Sequence, residues 1–200
     1  MFKRLSGIFS RKPRTDPAAH GGLDPRTIEQ AAAAKEAMEE FMPLLSRHLG
    51  EEESERLTAN VLAQFDGSEV DDGWFAVSTF LLDGLIGQEG QQRDMRLMIR
   101  VDWKASDEIE WQANELLETR GIDDEWEWDA DGLSVMDGLE ALSDWLARHA
   151  LTLVSVDFGQ DSYFMFIVDH EIAARTVDAG RRTGMDVQTF ENFAVSQAGG

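Results

Sequence analysis

The sequence predicts an α+β protein: a ferredoxin-like sheet with an N-terminal layer of about three helices packed on it. Residues 24–87 show helical periodicity, whereas from Asp94 apolar and polar residues alternate as they do in a half-buried strand. From Asp94 onward the elements follow the order β-α-(α)-β-β-α-β, which is the split β-α-β pattern of a ferredoxin-like sheet. Two of these strands are apolar on both faces, so the N-terminal helices are predicted to cover the second face.

Three helices are predicted in the N-terminal part of the chain. Asp24 is a suitable N-cap and Pro25 a suitable first helical residue, and Gly50 is expected to end this helix. A second helix is predicted over about 51–65, and a third, very apolar helix over 74–86.

The sheet is predicted to begin with a strand over 94–103. The helix that follows is expected to be capped by Ser106 and to end at Gly121. A further helix over about 135–149 completes the first crossover, because its apolar residues recur at helical spacing.

A hairpin is predicted next. Residues 151–158 and 162–168 are strongly β-forming, and the intervening residues 159–161 (GQD) supply turn chemistry. A helix over 169–183 and a last strand over 185–190 complete the sheet portion.

The predicted organisation is one domain with two extensions. Residues 1–23 form a basic leader and a flexible linker, and residues 24–190 form a single α+β domain. Within that domain, 24–87 is the helical layer and 94–190 the sheet portion. Residues 191–200 are expected to be a flexible tail.

The charge distribution favours a basic partner. The net charge is −21, and residues 1–14 hold five basic residues and no acidic one. The remaining 186 residues, with 13 basic and 39 acidic side chains, therefore carry −26. Such a body repels nucleic-acid phosphate and attracts basic proteins. The chain also has no cysteine, which excludes disulfides, thiolate nucleophiles and cysteine-based zinc sites.

The loop over 122–131 is the main candidate site. It places Trp126 and Trp128 among carboxylates, and large indole area beside acids suits recognition of Arg or Lys on a partner. The acidic members of this predicted partner-binding surface are Asp123, Asp124, Glu125, Glu127 and Asp129. Two alternatives stay open: a solvated loop whose tryptophans point into the core, or a cation site, although the spacing of a calcium loop is absent.

No catalytic residue, metal ligand or cofactor is predicted. Asp102, Glu110 and His170 would be the members of an acid-base or metal-dependent site, but no recognised catalytic or cofactor motif surrounds them. Asp107 and Glu108, which lie between Asp102 and Glu110, are in the first turn of the predicted helix, where the helix dipole already favours negative charge. Asp157 and Tyr163, near the hairpin tip, are explained by turn chemistry and strand packing.

The leader offers a second kind of contact. Its bulky apolar and basic side chains could lie on an anionic membrane surface. The residues concerned are Phe2, Lys3, Arg4, Ile8, Phe9, Arg11 and Lys12. The alternative is a basic leader that folds back onto the acidic body. The leader has no apolar stretch of the ~20 residues that a bilayer span requires.

Three short motifs resemble those of a bacterial family of uncharacterised proteins, known only as a domain of unknown function. They are VDW with DEIEW over 101–111, WxWD over 126–129 and DxGxDSY over 157–163. The resemblance covers about 94–190. It implies a bacterial, cytoplasmic setting and brings no activity, cofactor or catalytic residue.

Together these observations predict a non-catalytic, acidic protein-binding module. Its sharpest form is an immunity- or antitoxin-like protein whose carboxylates occupy the cationic cleft of a basic toxin. The alternatives are a membrane-peripheral adaptor, held at the inner face of the membrane by residues 1–14, and an acid-base or metal-dependent enzyme. The sequence predicts no oligomeric state.

Overall fold

The first part of the chain that the structure describes is helical. The computed structural model describes residues 25–67, 77–86 and 97–198. Its first elements are α1 (Pro25–Ser46), a 3-10 turn (Arg47–Leu49), α2 (Glu51–Gly67) and α3 (Val77–Ile86). The three predicted helices are therefore confirmed, while the predicted start of the third at Trp74 and the whole leader lie outside the described residues.

Within the described residues, a four-stranded antiparallel sheet forms the rest of the frame. Its strands are β1 (Met98–Asp102), β2 (Leu151–Val156), β3 (Ser162–Asp169) and β4 (Val187–Thr189), in the order β1-β3-β2-β4. The helices between and after the strands are α4 (Ile109–Thr119), α5 (Val135–Arg148), α6 (His170–Arg182) and α7 (Phe190–Ala198). The α+β class and the predicted hairpin are confirmed. The strands β1-β3-β2 form the split β-α-β unit, and β4 adds to the β2 edge.

The strand order explains which face each helix covers. β1 and β2 are parallel and flank β3, and β3 and β4 are parallel and flank β2, so both crossovers step in the same direction across the sheet. Their first strands point in opposite directions. Because crossovers between parallel strands are right-handed, the connecting helices must lie on opposite faces. Accordingly, α4 and α5 cover one face, and α6 joins the N-terminal helices on the other.

Two cores result, one on each face of the sheet. Val154, Phe164 and Phe166 point toward α1, α2 and α6, whereas Leu153 and Met165 point toward α4, α5 and α7. Successive strand residues point to opposite faces, so a strand that is apolar at every position needs cover on both sides. The predicted covering of the second face by the N-terminal helices is therefore confirmed.

The C-terminal segment differs from the predicted flexible tail. Residues from Phe190 to Ala198 form helix α7. Phe190 is buried, and the ring of Phe193 meets that of Tyr163 edge-on with centroids 5.8 Å apart. Apolar residues at positions i, i+3 and i+4 give α7 one face that packs on the sheet, which stabilises it in place.

The start of the first crossover also differs from the prediction. Ser106 opens a short 3-10 helix (Ser106–Glu108) and does not cap α4, whose N-cap is Glu108. Trp103 follows the end of β1 in a turn and is 55% exposed, with the Lys104 ammonium 4.3 Å from its ring centroid. The predicted alternation therefore stops at Asp102, because the chain leaves the sheet there.

Candidate acidic binding groove

Helix α4 is fixed to the sheet by the side chain of Gln112. This amide is almost fully buried, accepts from the Arg100 backbone N–H at 2.9 Å and donates to the Arg100 carbonyl at 3.0 Å. A buried amide is favourable when its polar atoms are paired in this way. The helix is thus held at one position along β1.

The first part of the loop after α4, residues 121–126, is hydrogen-bonded to the helix near its start and at its end. Gly121 has φ +71, and the Ile122 N–H donates to the Leu117 carbonyl at 2.9 Å, as in a Schellman motif. Further along, the Asn114 side chain bonds both the N–H and the carbonyl of Trp126, at 2.9 and 3.0 Å. Residues 122–126 therefore run along the outer face of α4.

Trp126, one of the two predicted partner-binding tryptophans, is 3% exposed, which matches the alternative in which the loop tryptophans point into the core. Trp128 is half-buried and stacks on Trp126 with centroids 5.9 Å apart and an interplanar angle of 7°. Its ring lies over Gly138, where an added Cβ would be 3.2 Å from the indole Nε1. Trp126 therefore belongs to the core on this face of the sheet, and Trp128 packs against that core.

The predicted acidic members of the surface are all exposed, but they divide into two groups. Asp123, Asp124 and Glu125 face the outer side of α4. Glu127 and Asp129 are not part of that lining; the Asp129 carboxylate instead accepts from the Asp131 N–H at 3.1 Å. The first group contributes to a concave surface, and the second group does not.

That concave surface is a groove of about 610 Å³ between α4 and residues 122–125, here named the acidic groove. Its lining carries seven carboxylates, from Asp107, Glu110, Glu115, Glu118, Asp123, Asp124 and Glu125. No lysine or arginine is among the described residues that line it. Asp124 is 3.4 Å from the Nε2 of His149, whose ring stacks on Trp145.

Trp111 is the indole that the groove exposes. It lines the groove and is 47% exposed. Helix α4 buries Ile109, Ala113 and Leu116 on the face toward the sheet, and at 100° per residue Trp111 falls on the opposite face. Sequence reasoning assigned the binding indoles to the loop and missed Trp111. The available signal was a tryptophan out of phase with the apolar stripe of its own helix.

The residues considered for acid-base or metal chemistry are not brought together. Asp102 pairs in register with Ser162, whereas His170 follows Asp169 at the other end of β3, ~23 Å away at about 3.3 Å per residue. The His170 Nδ1 is 3.0 Å from the Thr152 hydroxyl oxygen. Within the described ranges, no cluster of three or more His, Asp or Glu side chains is suited to a metal ion.

A separate charged contact lies where α4 ends. The Arg120 guanidinium is buried, pairs with Asp169 and donates to the Ile167 carbonyl at 2.9 Å. Burial lowers the pKa of Arg120, and Asp169 counteracts this shift. Burial, with the neighbouring Arg120 charge as the next cause, also lowers the pKa of His48 to about 4.

The fold and the groove define a class of protein: an α+β domain that offers an acidic, tryptophan-bearing groove. The family model described as a domain of unknown function (DUF6630) matches residues 23–190, so the chain belongs to that family. A search of the curated proteins and a search of the solved structures found no match.

None of the helices in the described ranges has the length and apolar character that a membrane crossing requires.

Proposed function

We propose that this protein is a non-catalytic binding module that engages a basic partner protein through the acidic groove. The observation that carries the proposal is the joint presence, in one groove, of seven carboxylates and an exposed indole. The predicted acidic, tryptophan-containing face is retained in this proposal, with Trp111 in place of Trp126 and Trp128.

The chemistry of the groove suits lysine and arginine side chains. Carboxylates accept hydrogen bonds from guanidinium and ammonium groups, and an indole face attracts a cation by the charge distribution of its ring. The net charge of −21 steers a basic partner toward the protein before contact. Trp111 supplies the large, rigid contact area that is typical of energetic centres in protein interfaces.

The rigidity of the groove supports a binding role. Gln112 fixes α4 to β1, and Asn114 fixes the loop to α4 through two hydrogen bonds. Groups that are already ordered lose less conformational entropy on binding, so more of the contact energy becomes affinity.

The partner class that we propose is a basic protein with a cationic cleft, such as a nuclease toxin. The protein would then act in the manner of an immunity protein, with its carboxylates filling the cleft in place of the phosphates of the substrate. A bacterial cytoplasm is the setting that we propose for this pair.

The test uses a synthetic arginine-rich peptide and tryptophan fluorescence. The groove variant carries Glu110→Gln, Glu118→Gln and Glu125→Gln, and the control carries Glu29→Gln, Glu36→Gln and Glu39→Gln on α1, across the sheet. Exposed ion pairs contribute about 0.2–1 kcal/mol each, so three should change affinity about tenfold.

The groove variant should lose about tenfold in affinity, and the control, with the same net charge, much less. Equal losses in the two variants would mean that the peptide responds to net charge and that the groove is not the binding site.

A further inference from the structure

We propose that residues 1–14 of the same chain dock in the acidic groove and compete there with the basic partner. This inference rests on the proposed function of the groove and adds a means of regulating it. The segment acts as an internal competitor, so a partner must displace it before it can bind.

Charge and composition match between the two. Residues 1–14 contain five basic residues and no acidic one, and the described lining of the groove contains seven acidic residues and no lysine or arginine. The segment also carries Phe2 and Phe9, whose rings can cover the exposed face of Trp111. Residues 1–14 therefore offer the groove the same two kinds of side chain, basic and aromatic, that we propose for an external partner.

The start of α1 and the start of the groove lie at the same end of the sheet. Gln30 of α1 lines a cavity together with Gly159 of the β2–β3 turn. Asp102 is in register with Ser162, beside that turn, and Asp107 of the groove follows five residues later. The start of α1 and Asp107 are on opposite faces of the sheet. With one helix layer on each face, about 10 Å from the sheet, they are ~20 Å apart.

The connecting chain is long enough for this distance. Residues 15–24 separate the basic segment from Pro25, and ten residues span up to ~33 Å when extended. Attachment through a short connection gives the segment an effective concentration on the order of millimolar. Weak contacts are then sufficient for occupancy, and a tighter partner can still displace the segment.

The experiment places a nitroxide on the basic segment of the full chain. Because the chain contains no cysteine, Ser6→Cys creates a single labelling site. Paramagnetic broadening of backbone amide signals should then be concentrated in α4 and residues 122–125. It should be lost at high salt and in the Glu110→Gln, Glu118→Gln, Glu125→Gln variant.

The control variant is again Glu29→Gln, Glu36→Gln and Glu39→Gln. It is stringent because these carboxylates are closer to the basic segment along the chain, and the broadening should persist in it. Broadening elsewhere on the protein, or equal loss in both variants, overturns the proposal. A mixed sample combines spin-labelled protein with isotope-labelled protein that carries no nitroxide. Broadening of the isotope-labelled signals in that sample also overturns the proposal, because it would assign the contact to a second copy.

A second measurement separates this proposal from the function on which it rests. Replacing the five basic residues of the segment with Gln in the full chain should raise the affinity for the arginine-rich peptide several-fold. An unchanged affinity overturns the internal competitor, whereas the groove variant still tests the binding function itself. The full chain could instead bind anionic vesicles and show no broadening in α4 or residues 122–125. That outcome would assign the segment to a membrane surface and also overturn the proposal.

Discussion

The buried guanidinium of Arg120 pairs with the partly exposed carboxylate of Asp169, and this ion pair joins the end of α4 to the end of β3. Arg47, in the turn after α1, approaches the other carboxylate oxygen of Asp169 at 3.5 Å. One carboxylate thus connects α4, the sheet and the turn after α1, which lie in three different layers. The consequences of this contact can be measured without knowledge of the partner.

Asp169→Asn should destabilise the fold by about 2 kcal/mol, because it leaves the buried Arg120 charge without its partner. This magnitude is reduced for the one-third exposure of the Asp169 side chain. Urea unfolding followed by circular dichroism measures the change. Asp178→Asn, which removes an exposed partner of Arg182, is the matched control and should change stability by less than about 0.5 kcal/mol.

Stability should fall between pH 7 and pH 5 because of His48. Burial lowers the pKa of His48 to about 4 in the folded protein, from the usual value of 6.5. The unfolded chain therefore binds this proton first, and stability that is present above pH 6.5 is lost as the pH falls toward 4. The loss at pH 5 is about 2 kcal/mol. His48→Gln should remove this part of the slope, whereas His170→Gln should retain it.

Gly84→Ala and Gly138→Ala should differ in cost although both add one methyl group to a helix. At Gly84 the new Cβ would lie 2.6 Å from the Cα of Val61, a backbone atom of α2 that cannot move alone. At Gly138 the nearest atom is the Cδ1 of Ile109 at 2.6 Å, which is the end of a side chain and not backbone, followed by atoms of the Trp128 ring at 3.2 Å. We expect a loss of about 2 kcal/mol at Gly84 and less than about 1 kcal/mol at Gly138. Denaturant midpoints of the two variants compare them directly, and the reverse order would contradict the packing described.

Trp111 and Trp126 should respond in opposite ways to substitution by alanine. Trp111→Ala removes a half-exposed ring, so it should cost about 1 kcal/mol of stability, less than a buried ring costs, while peptide affinity falls about tenfold. Trp126→Ala removes a buried ring and should cost about 3 kcal/mol. Acrylamide should quench less of the remaining emission once Trp111 is absent. If peptide affinity falls only in step with stability, Trp111 is not a contact residue.

The layers of the fold could be predicted because apolar periodicity reports burial directly. Phe164 and Met165 are both apolar and adjacent, and this alone required cover on both faces of the sheet. The face occupied by α6 could not be predicted in the same way. It depends on which edge of the sheet receives β4, and that is decided by long-range pairing that local sequence does not encode.

The sequence predicted the acidic residues of the candidate site but not which tryptophan is exposed beside them. The carboxylates of Asp123, Asp124 and Glu125 are exposed, as polar loop residues usually are. The burial of Trp126 depends on its backbone bonds to Asn114, twelve residues away, and no local pattern indicates them. Trp111 was within reach of prediction, since it interrupts the polar face of an otherwise regular amphipathic helix.

The hydrogen bonds of Gln112 affect whether copies of this protein can associate through the edge of the sheet. β1 is an outermost strand, and unpaired main-chain groups on such strands invite another chain to add to the sheet and aggregate. Here the Arg100 N–H and carbonyl are bonded to Gln112, and the Asp102 carbonyl accepts from Ala105 at 2.9 Å. The opposite margin, β4, is three residues long. In the described part of the sheet, one margin thus has main-chain groups already bonded to side chain and turn, and the other margin is short, and both features disfavour the addition of another strand.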